Sequence, residues 1–84
     1  MFYVYILKCG DGSFYCGYTN DVKKRLEKHK SGKGAKYTRS RLPLELVFVE
    51  KYNDKSQALK REYEIKKLSR SQKEKLVADY CSNT

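Results

Sequence analysis

The pattern of apolar and polar residues changes along the chain, and its strand-like parts are easily separated from the rest. Residues 3–7 and 14–19 are rich in aromatic and β-branched side chains, and the GDGS sequence between them supplies glycines that tolerate positive φ. These two stretches predict a β-hairpin. Residues 44–52 (LELVFVEKY) alternate apolar and charged side chains in part and predict a third strand.

A helical period begins near residue 21. Apolar-face residues recur there at i, i+4 and i+7, namely Val22, Leu26 and His29. Asn20 or Asp21 is a suitable N-cap, and Gly32 lies beyond the expected end. This pattern predicts the first helix.

Two capping boxes predict two further helices. DKSQ at residues 54–57 opens a helix that runs to about Leu68, and SQKE at residues 71–74 opens one that runs to about Tyr80. Residues 31–43 contain two glycines, a proline and no apolar period, which predicts a mobile loop. We therefore predict an α+β fold with a small three-stranded antiparallel sheet flanked by helices. A chain of 84 residues should form one domain over residues 1–84.

The charge balance changes the list of partners. The chain has 19 Lys and Arg against 10 Asp and Glu, a formal net charge of +9, which attracts polyanions and makes nucleic acid the first partner to consider. The alternative is a basic but inert surface. The three cysteines show no CxxC or Cys/His clustering, so neither a disulfide framework nor a zinc site is supported. Reduced thiols and a start without a basic leader or membrane-spanning length predict an unprocessed cytoplasmic protein without membrane attachment.

Three polar residues stand out against the helical patterns. Glu62 falls on the inward stripe of its helix, where a carboxylate is unexpected, although a rim ion pair with Lys66 at i+4 would also explain it. Glu64 lies off that stripe and is interpreted as surface. Arg25 and His29 share the edge of the buried face of the first helix. Each could be an ordinary structural residue, but the three together with a tyrosine-rich hairpin form a less ordinary set.

These residues resemble the GIY-YIG nuclease superfamily, whose name records two short motifs in its first two strands. YVY at residues 3–5 stands for the first motif and YCG at residues 15–17 for the second, followed by Arg25, His29 and Glu62. The likeness covers most of the chain and is greatest to the small single-domain branch related to the catalytic subunit of structure-selective endonucleases. The asparagine that many members carry beyond the glutamate has no clear counterpart.

The resemblance implies a role for each of five candidate catalytic residues, which are Tyr5, Tyr15, Arg25, His29 and Glu62. We expect the hydroxyls of Tyr5 and Tyr15 on the same side of the sheet as Glu62 and Arg25, since these groups must converge on one phosphate. Glu62 would hold one divalent cation, Mg²⁺ or alternatively Mn²⁺, which can be bound by one carboxylate, waters and substrate phosphate. Arg25 would bind the scissile phosphate, because a guanidinium is always charged and planar. Tyr15 would take the proton of the attacking water, and Tyr5 and His29 would orient the water or phosphate and could share that proton.

Further residues are candidates for nucleic-acid contact. A glycine inside a strand often marks close backbone approach, so Gly17 should let substrate or Arg25 come near, with Tyr18 in a supporting role. The loop after the first helix is cationic and has one aromatic residue that could stack on an unpaired base. Its candidate contacts are Lys33, Lys36, Tyr37, Arg39 and Arg41. A plain solvated loop is the alternative.

Two functions follow from the sequence. The first is a metal-dependent endonuclease acting on DNA, including branched or unpaired structures, because no element resembles a base-reading one. The second is a nucleic-acid-binding module on the same scaffold whose catalysis is weak, absent or dependent on a partner protein. The complete set of five candidate catalytic residues favours the enzyme, and the small size favours the module.

Overall fold

The fold is α+β, with a three-stranded antiparallel sheet flanked by helices, as the sequence predicted. The computed structural model describes residues 1–82. The strands and helices in chain order are β1 (Phe2–Lys8), β2 (Phe14–Thr19), α1 (Val22–Lys30), α2 (Lys36–Arg39), β3 (Glu45–Tyr52), α3 (Lys55–Lys66) and α4 (Arg70–Ser82). The sheet order is β2-β1-β3. In the part of the chain that the structure describes, no helix has the length and apolarity needed to cross a membrane.

The central strand β1 sends alternate side chains to the two sheet faces, and each face carries its own apolar cluster. On one face Val4 and Ile6 pack with Phe48 of β3 and with Ala58 and Ile65 of α3. This face is covered by α3 and α4. Because successive strand residues point to opposite sides of the sheet, the odd-numbered residues of β1 point to the other face.

The second face is formed around Tyr5 and Leu7, with Leu44 and Cys9 buried beside them and Leu26 of α1 packed on top. Tyr5 is paired across the sheet with Gly17 on β2 and with Val49 on β3. A β-bulge between Ile6 and Leu7 shifts the register with β3. Tyr5 therefore lies at the middle of the central strand, under α1.

The segment after α1 is more structured than the predicted loop. Residues 36–39 form the short helix α2, and Thr38 within it is buried. Arg41 ties this segment to its surroundings, because its Nη1 donates to the Tyr37 carbonyl oxygen at 2.8 Å and its Nε lies 3.1 Å from an oxygen of Asp11 in the β1–β2 turn. The prediction of an unstructured loop was wrong here, because a four-residue helix is too short to show an apolar period.

The helix ends follow the predicted caps in two of three cases. The side chain of Asp21 accepts from the Lys24 backbone N–H, and that of Asp54 accepts from the Ser56 N–H. The last helix differs: Ser69 and Gln72 form the reciprocal cap, whose side-chain oxygens each accept from the other residue's backbone N–H. The predicted box at residues 71–74 was wrong, because α4 begins at residue 70 and its start signal lies upstream.

The Ser69 cap can be tested by substitution. Replacing Ser69 with Ala should reduce the free energy of unfolding by about 1 kcal/mol, since one helix-terminal N–H loses its partner. The matched control is Ser71→Ala, which lies inside the first turn and should change stability by less than about 0.5 kcal/mol, because Ala is the better helix former. Urea unfolding of the two variants measures the difference. A larger loss of stability for Ser71→Ala would contradict the assignment.

Candidate active site

A buried hydrogen bond joins the central strand to the first helix. The Tyr5 hydroxyl lies 3.0 Å from Nε2 of His29, which is in the last turn of α1. Tyr5 is 3% exposed and His29 is 1% exposed. The helical period places His29 on the inward face of α1, and the strand alternation places Tyr5 on the sheet face below it, so the two polar groups meet in the apolar second face.

The other nitrogen of His29 is also paired. Nδ1 of His29 lies 2.9 Å from Oγ1 of Thr38, and that hydroxyl donates to the Ala35 carbonyl oxygen at 3.0 Å. A Cβ at position 34 would overlap the His29 ring, so only glycine fits at Gly34. Neither Thr38 nor Gly34 was predicted from the sequence as part of the site. The second glycine of the segment was the one signal available, and it points to a close approach without naming the partner.

The phenol of Tyr15 completes a ring cluster at this site. Its ring centroid is 5.4 Å from that of His29 and 6.5 Å from that of Tyr5. Tyr37 of α2 stacks on Tyr15, with centroids 6.0 Å apart and an interplanar angle of 28°. The structure thus brings together three of the candidate residues, Tyr5, Tyr15 and His29, and Tyr15 is the more exposed of the two phenols.

Gly17 has a different neighbour from the one predicted. It is buried opposite Tyr5 in the sheet, and a Cβ at position 17 would overlap the phenol ring of Tyr5. The expectation that its open space serves Arg25 or substrate was therefore wrong in its partner, because the Tyr5 ring occupies that space. Gly17 acts on the site by allowing the Tyr5 hydroxyl to reach the edge strand β2.

Arg25 lies on the outer side of the same face. It is exposed, and its stem lines a narrow crevice together with Tyr5 and Leu26. It also borders a groove of about 160 Å³ at the start of α1, where two further cations, Lys24 and Lys28, are found. A guanidinium held beside Tyr5 with its head in solvent can meet an anion from outside.

Glu62 reaches the site from the other side of the sheet. Its helix, α3, packs against the opposite face through Ala58 and Ile65, and the Cys16 thiol of edge strand β2 lies 3.9 Å from the Glu62 carbonyl oxygen. The prediction that Glu62 shares a sheet face with the tyrosines was wrong, because helical period shows that a residue points inward but not which face it meets. The Glu62 side chain is 19% exposed and lies 3.4 Å from Lys66 Nζ, which is the ion pair that the i+4 spacing predicts.

Charged residues on both sides of the sheet affect the pKa of Tyr5. Burial, followed by the neighbouring phenol of Tyr15, raises the pKa of Tyr5 above its ordinary value, Arg25 lowers it in part, and Glu62 raises it. Burial lowers the pKa of His29 below its ordinary value of 6.5, and the cations Arg25 and Lys28 lower it further. At neutral pH the pair therefore consists of a protonated phenol and a neutral imidazole.

The donor set at Glu62 fits a weakly held hard cation. Within residues 1–82, no group of three or more His, Cys, Asp or Glu side chains is placed to enclose a metal ion. A single carboxylate with access to water is compatible with Mg²⁺, which often keeps several waters and takes its remaining ligands from substrate phosphates. It is not compatible with a closed structural site.

The remaining candidate contacts divide into exposed and engaged residues. Lys33, Lys36 and Arg39 are exposed on or next to α2. Tyr37 and Arg41 contact each other, with the guanidinium carbon 3.9 Å from the ring centroid. They also contact Tyr15 and Asp11, so they have a structural role in addition to the predicted nucleic-acid contact.

Tyr18 does not lie at the site. Its ring stacks on Phe2, with centroids 6.1 Å apart, and packs against the cluster under α3 and α4. Tyr18 follows Gly17 in the strand and therefore points to the side of the sheet opposite Tyr5. The supporting role predicted for Tyr18 in nucleic-acid contact stays a prediction.

The family follows from the motif order and this geometry. The family model described as GIY-YIG catalytic domain matches residues 1–75, and the chain belongs to the GIY-YIG family. This domain is typical of nucleases, which generally use divalent metals and act on nucleic acid. The resemblance found in the sequence is confirmed.

Similar proteins carry the name UPF0213. The UPF0213 protein of Staphylococcus epidermidis is 58% identical over 77 residues, which span 92% of this chain and 94% of that protein. The one from Natronomonas pharaonis is 56% identical over 77 residues, spanning 92% and 91%. The solution NMR structure of the UPF0213 protein of Bacillus halodurans has 57% identity and a TM-score of 0.61, and the match covers 93% of this chain and 84% of that one.

Proposed function

We propose that this protein is a metal-dependent endonuclease that hydrolyses DNA phosphodiester bonds, including those of branched or unpaired structures. The observation that carries this proposal is the hydrogen bond of 3.0 Å between the Tyr5 hydroxyl and His29 Nε2. An exposed guanidinium, Arg25, and a partly buried carboxylate, Glu62, are near enough for their charges to act on Tyr5. Apart from the family, this is the arrangement that phosphodiester hydrolysis needs: a proton acceptor, a phosphate binder and a cation ligand.

Tyr5 and His29 receive the proton of the attacking water. As the water oxygen forms its bond to phosphorus, its proton passes to the Tyr5 oxygen, and the Tyr5 proton passes to Nε2 of His29. The bond from phosphorus to the leaving oxygen then breaks. The imidazolium returns its proton to the Tyr5 oxygen across the same hydrogen bond, and the Tyr5 hydroxyl releases a proton to the leaving oxygen or to solvent, which restores both groups. The raised pKa of Tyr5 supports this order, because a phenol that resists ionisation can accept a proton only while handing on its own.

Tyr15, to which the family resemblance gives the proton-accepting role, is less well placed for it. Tyr15 meets His29 through its ring, whereas Tyr5 meets it through a hydrogen bond to a ring nitrogen. A phenol without such an acceptor has no group in contact to which it can hand its own proton while it accepts that of the water. We therefore assign the transfer to Tyr5 and give Tyr15 the role of orienting the water from its more exposed position.

Arg25 and Glu62 handle the negative charge of the reacting phosphate. Arg25 donates to the phosphate oxygens, where charge grows as the water attacks. Glu62 would hold the divalent cation, Mg²⁺ or Mn²⁺, which when bound stabilises charge on the phosphate and the leaving oxygen. The Lys66 ammonium group lies 3.4 Å from the Glu62 carboxylate, and the Lys66 side chain is half exposed. Such an exposed ion pair is weak, so a divalent cation can replace Lys66 at a small cost in free energy.

DNA is held by charge rather than by base reading. The net charge of +9 and the exposed cations Lys33, Lys36 and Arg39 favour contact with phosphates along the backbone. Gly17 contributes by the space that it leaves for Tyr5, and Tyr37 and Arg41 contribute by holding α2 over the site.

A nucleic-acid-binding module is the second candidate function. The observation that favours it is the ion pair between Glu62 and Lys66 on a helix that packs against the other sheet face. If Lys66 keeps the carboxylate, the chain would bind DNA without cleaving it. The two functions make different predictions for a Glu62 variant.

Glu62→Gln should abolish cleavage while leaving DNA binding unchanged or stronger, because the side chain keeps its shape but loses the charge that holds the cation. Glu64→Gln is the matched control, an exposed residue of the same helix with the same change in charge, and should cleave as the wild type does. Arg25→Ala should reduce both binding and cleavage.

The assay uses duplex, single-stranded, flap and junction DNA with Mg²⁺, Mn²⁺ or EDTA. Wild-type protein that cleaves none of these and binds equally with and without Mg²⁺ would support the binding module. Cleavage that survives Glu62→Gln would remove Glu62 from the site.

The exposed cations of the α2 segment give a separate test of DNA contact. Replacing Lys33, Lys36 and Arg39 with Ala should weaken binding to all sequences. It should also flatten the plot of log K against log salt by roughly 0.9 for each duplex phosphate that the variant no longer neutralises. The control removes three exposed lysines elsewhere, Lys51, Lys55 and Lys75, with the same change in charge. Equal slopes for the two triple variants would remove the segment from the interface.

A further inference from the structure

Thr38 uses its own hydroxyl proton away from His29. The Thr38 hydroxyl donates to the Ala35 carbonyl oxygen at 3.0 Å, and a carbonyl oxygen can only accept. The contact of 2.9 Å between Thr38 Oγ1 and His29 Nδ1 therefore has the threonine oxygen as acceptor. With this direction of donation Nδ1 of His29 carries the proton. The Ala35 oxygen also accepts from the backbone N–H groups of Thr38 and Arg39, so the direction of the hydroxyl is what the experiment below has to test.

That assignment determines the other side of the ring. In a neutral imidazole one nitrogen carries a proton and the other accepts, so Nε2 of His29 is the accepting nitrogen. The Tyr5 hydroxyl is then the donor across the 3.0 Å bond. With the opposite tautomer, Nε2 would donate to Tyr5, and Tyr5 could not pass its proton to His29.

The surroundings of the imidazole leave few alternatives to this arrangement. Thr38 is fully buried, and every fully buried side-chain nitrogen or oxygen within residues 1–82 has a hydrogen-bond partner. Gly34 lies so close to Nδ1 that a Cβ there would overlap the ring. The short helix α2 follows Gly34 and Ala35 directly. Its position places the Thr38 hydroxyl oxygen beside Nδ1 as an acceptor.

We propose that Thr38 is a positioning residue that holds His29 in the Nδ1-protonated tautomer and so keeps Nε2 free to take the Tyr5 proton. The catalytic consequence rests on the function proposed above, whereas the tautomer itself does not. Thr38 does not touch the substrate. It acts through His29.

The experiment measures the tautomer directly. His29 is the only histidine of the chain, so long-range ¹H–¹⁵N NMR of uniformly ¹⁵N-labelled protein reports its two ring nitrogens without ambiguity. Wild type at neutral pH should show a protonated Nδ1 and an unprotonated Nε2. Thr38→Val, which keeps the shape of the side chain but lacks the hydroxyl, should lose this fixed pattern. Thr38→Ser, which keeps the hydroxyl, should retain it.

Controls separate the tautomer from general damage. Thr19→Val makes the same change at another buried threonine and should leave the His29 signals as in wild type. If Thr38→Val fails to fold, the wild-type and Thr38→Ser spectra still decide the assignment. A wild-type ring protonated on Nε2, or a Thr38→Val spectrum with the wild-type pattern, would overturn the proposal.

Cleavage supplies the second readout. On the DNA substrate that the wild type cleaves, Thr38→Val should lower the single-turnover rate by up to roughly 10²-fold, the range expected when a proton transfer is impaired, with DNA affinity unchanged and recovery in Thr38→Ser. An unchanged rate would remove the positioning role. If the NMR pattern is as expected but the wild type cleaves nothing, the proposed function fails and the tautomer assignment stands.

Discussion

The hydrogen bond between Tyr5 and His29 constrains much of the second sheet face. Both groups are buried, and an unmatched phenol or imidazole in that position would cost about 1–3 kcal/mol. The bond fixes how α1 lies on β1, and it requires glycine at two positions, Gly17 under the phenol and Gly34 beside the imidazole. Packing of Leu26 against the same cluster adds an apolar contribution to this placement.

The same bond connects structure to chemistry. Burial makes ionisation of both groups unfavourable, which keeps the phenol protonated and the imidazole neutral near pH 7. In the proposed reaction the pair takes up one proton from the water, and His29 carries the positive charge only until that proton is passed back through Tyr5. The other charges that the reaction needs are carried at the edges, by Arg25 on the outer surface and by Glu62 beyond β2.

The sequence predicted the strands, the longer helices and four of the residues around the ring cluster, because short periods and ordered motifs are local signals. It did not predict Thr38, since the contact of Thr38 with His29 crosses a segment without period and depends on where α2 packs. It also misjudged Glu62: a position on the inward stripe of a helix says nothing about which sheet face the helix covers. The sequence also did not show which residue packs over Gly17, because that depends on the cross-strand register, which places Tyr5 opposite it.

The pH dependence of single-turnover DNA cleavage tests the proton path most directly. Because the pKa of His29 is lowered from 6.5, the neutral acceptor persists through neutral pH, and its protonation removes activity only as the pH falls below that value. We expect a rate that is level from about pH 7 to 9 and falls on the acid side, with this acid limb absent in His29→Gln, whose residual rate is low. A rate that rises about tenfold per pH unit between pH 7 and 9 would contradict the account, because a phenolate would then have to form before reaction.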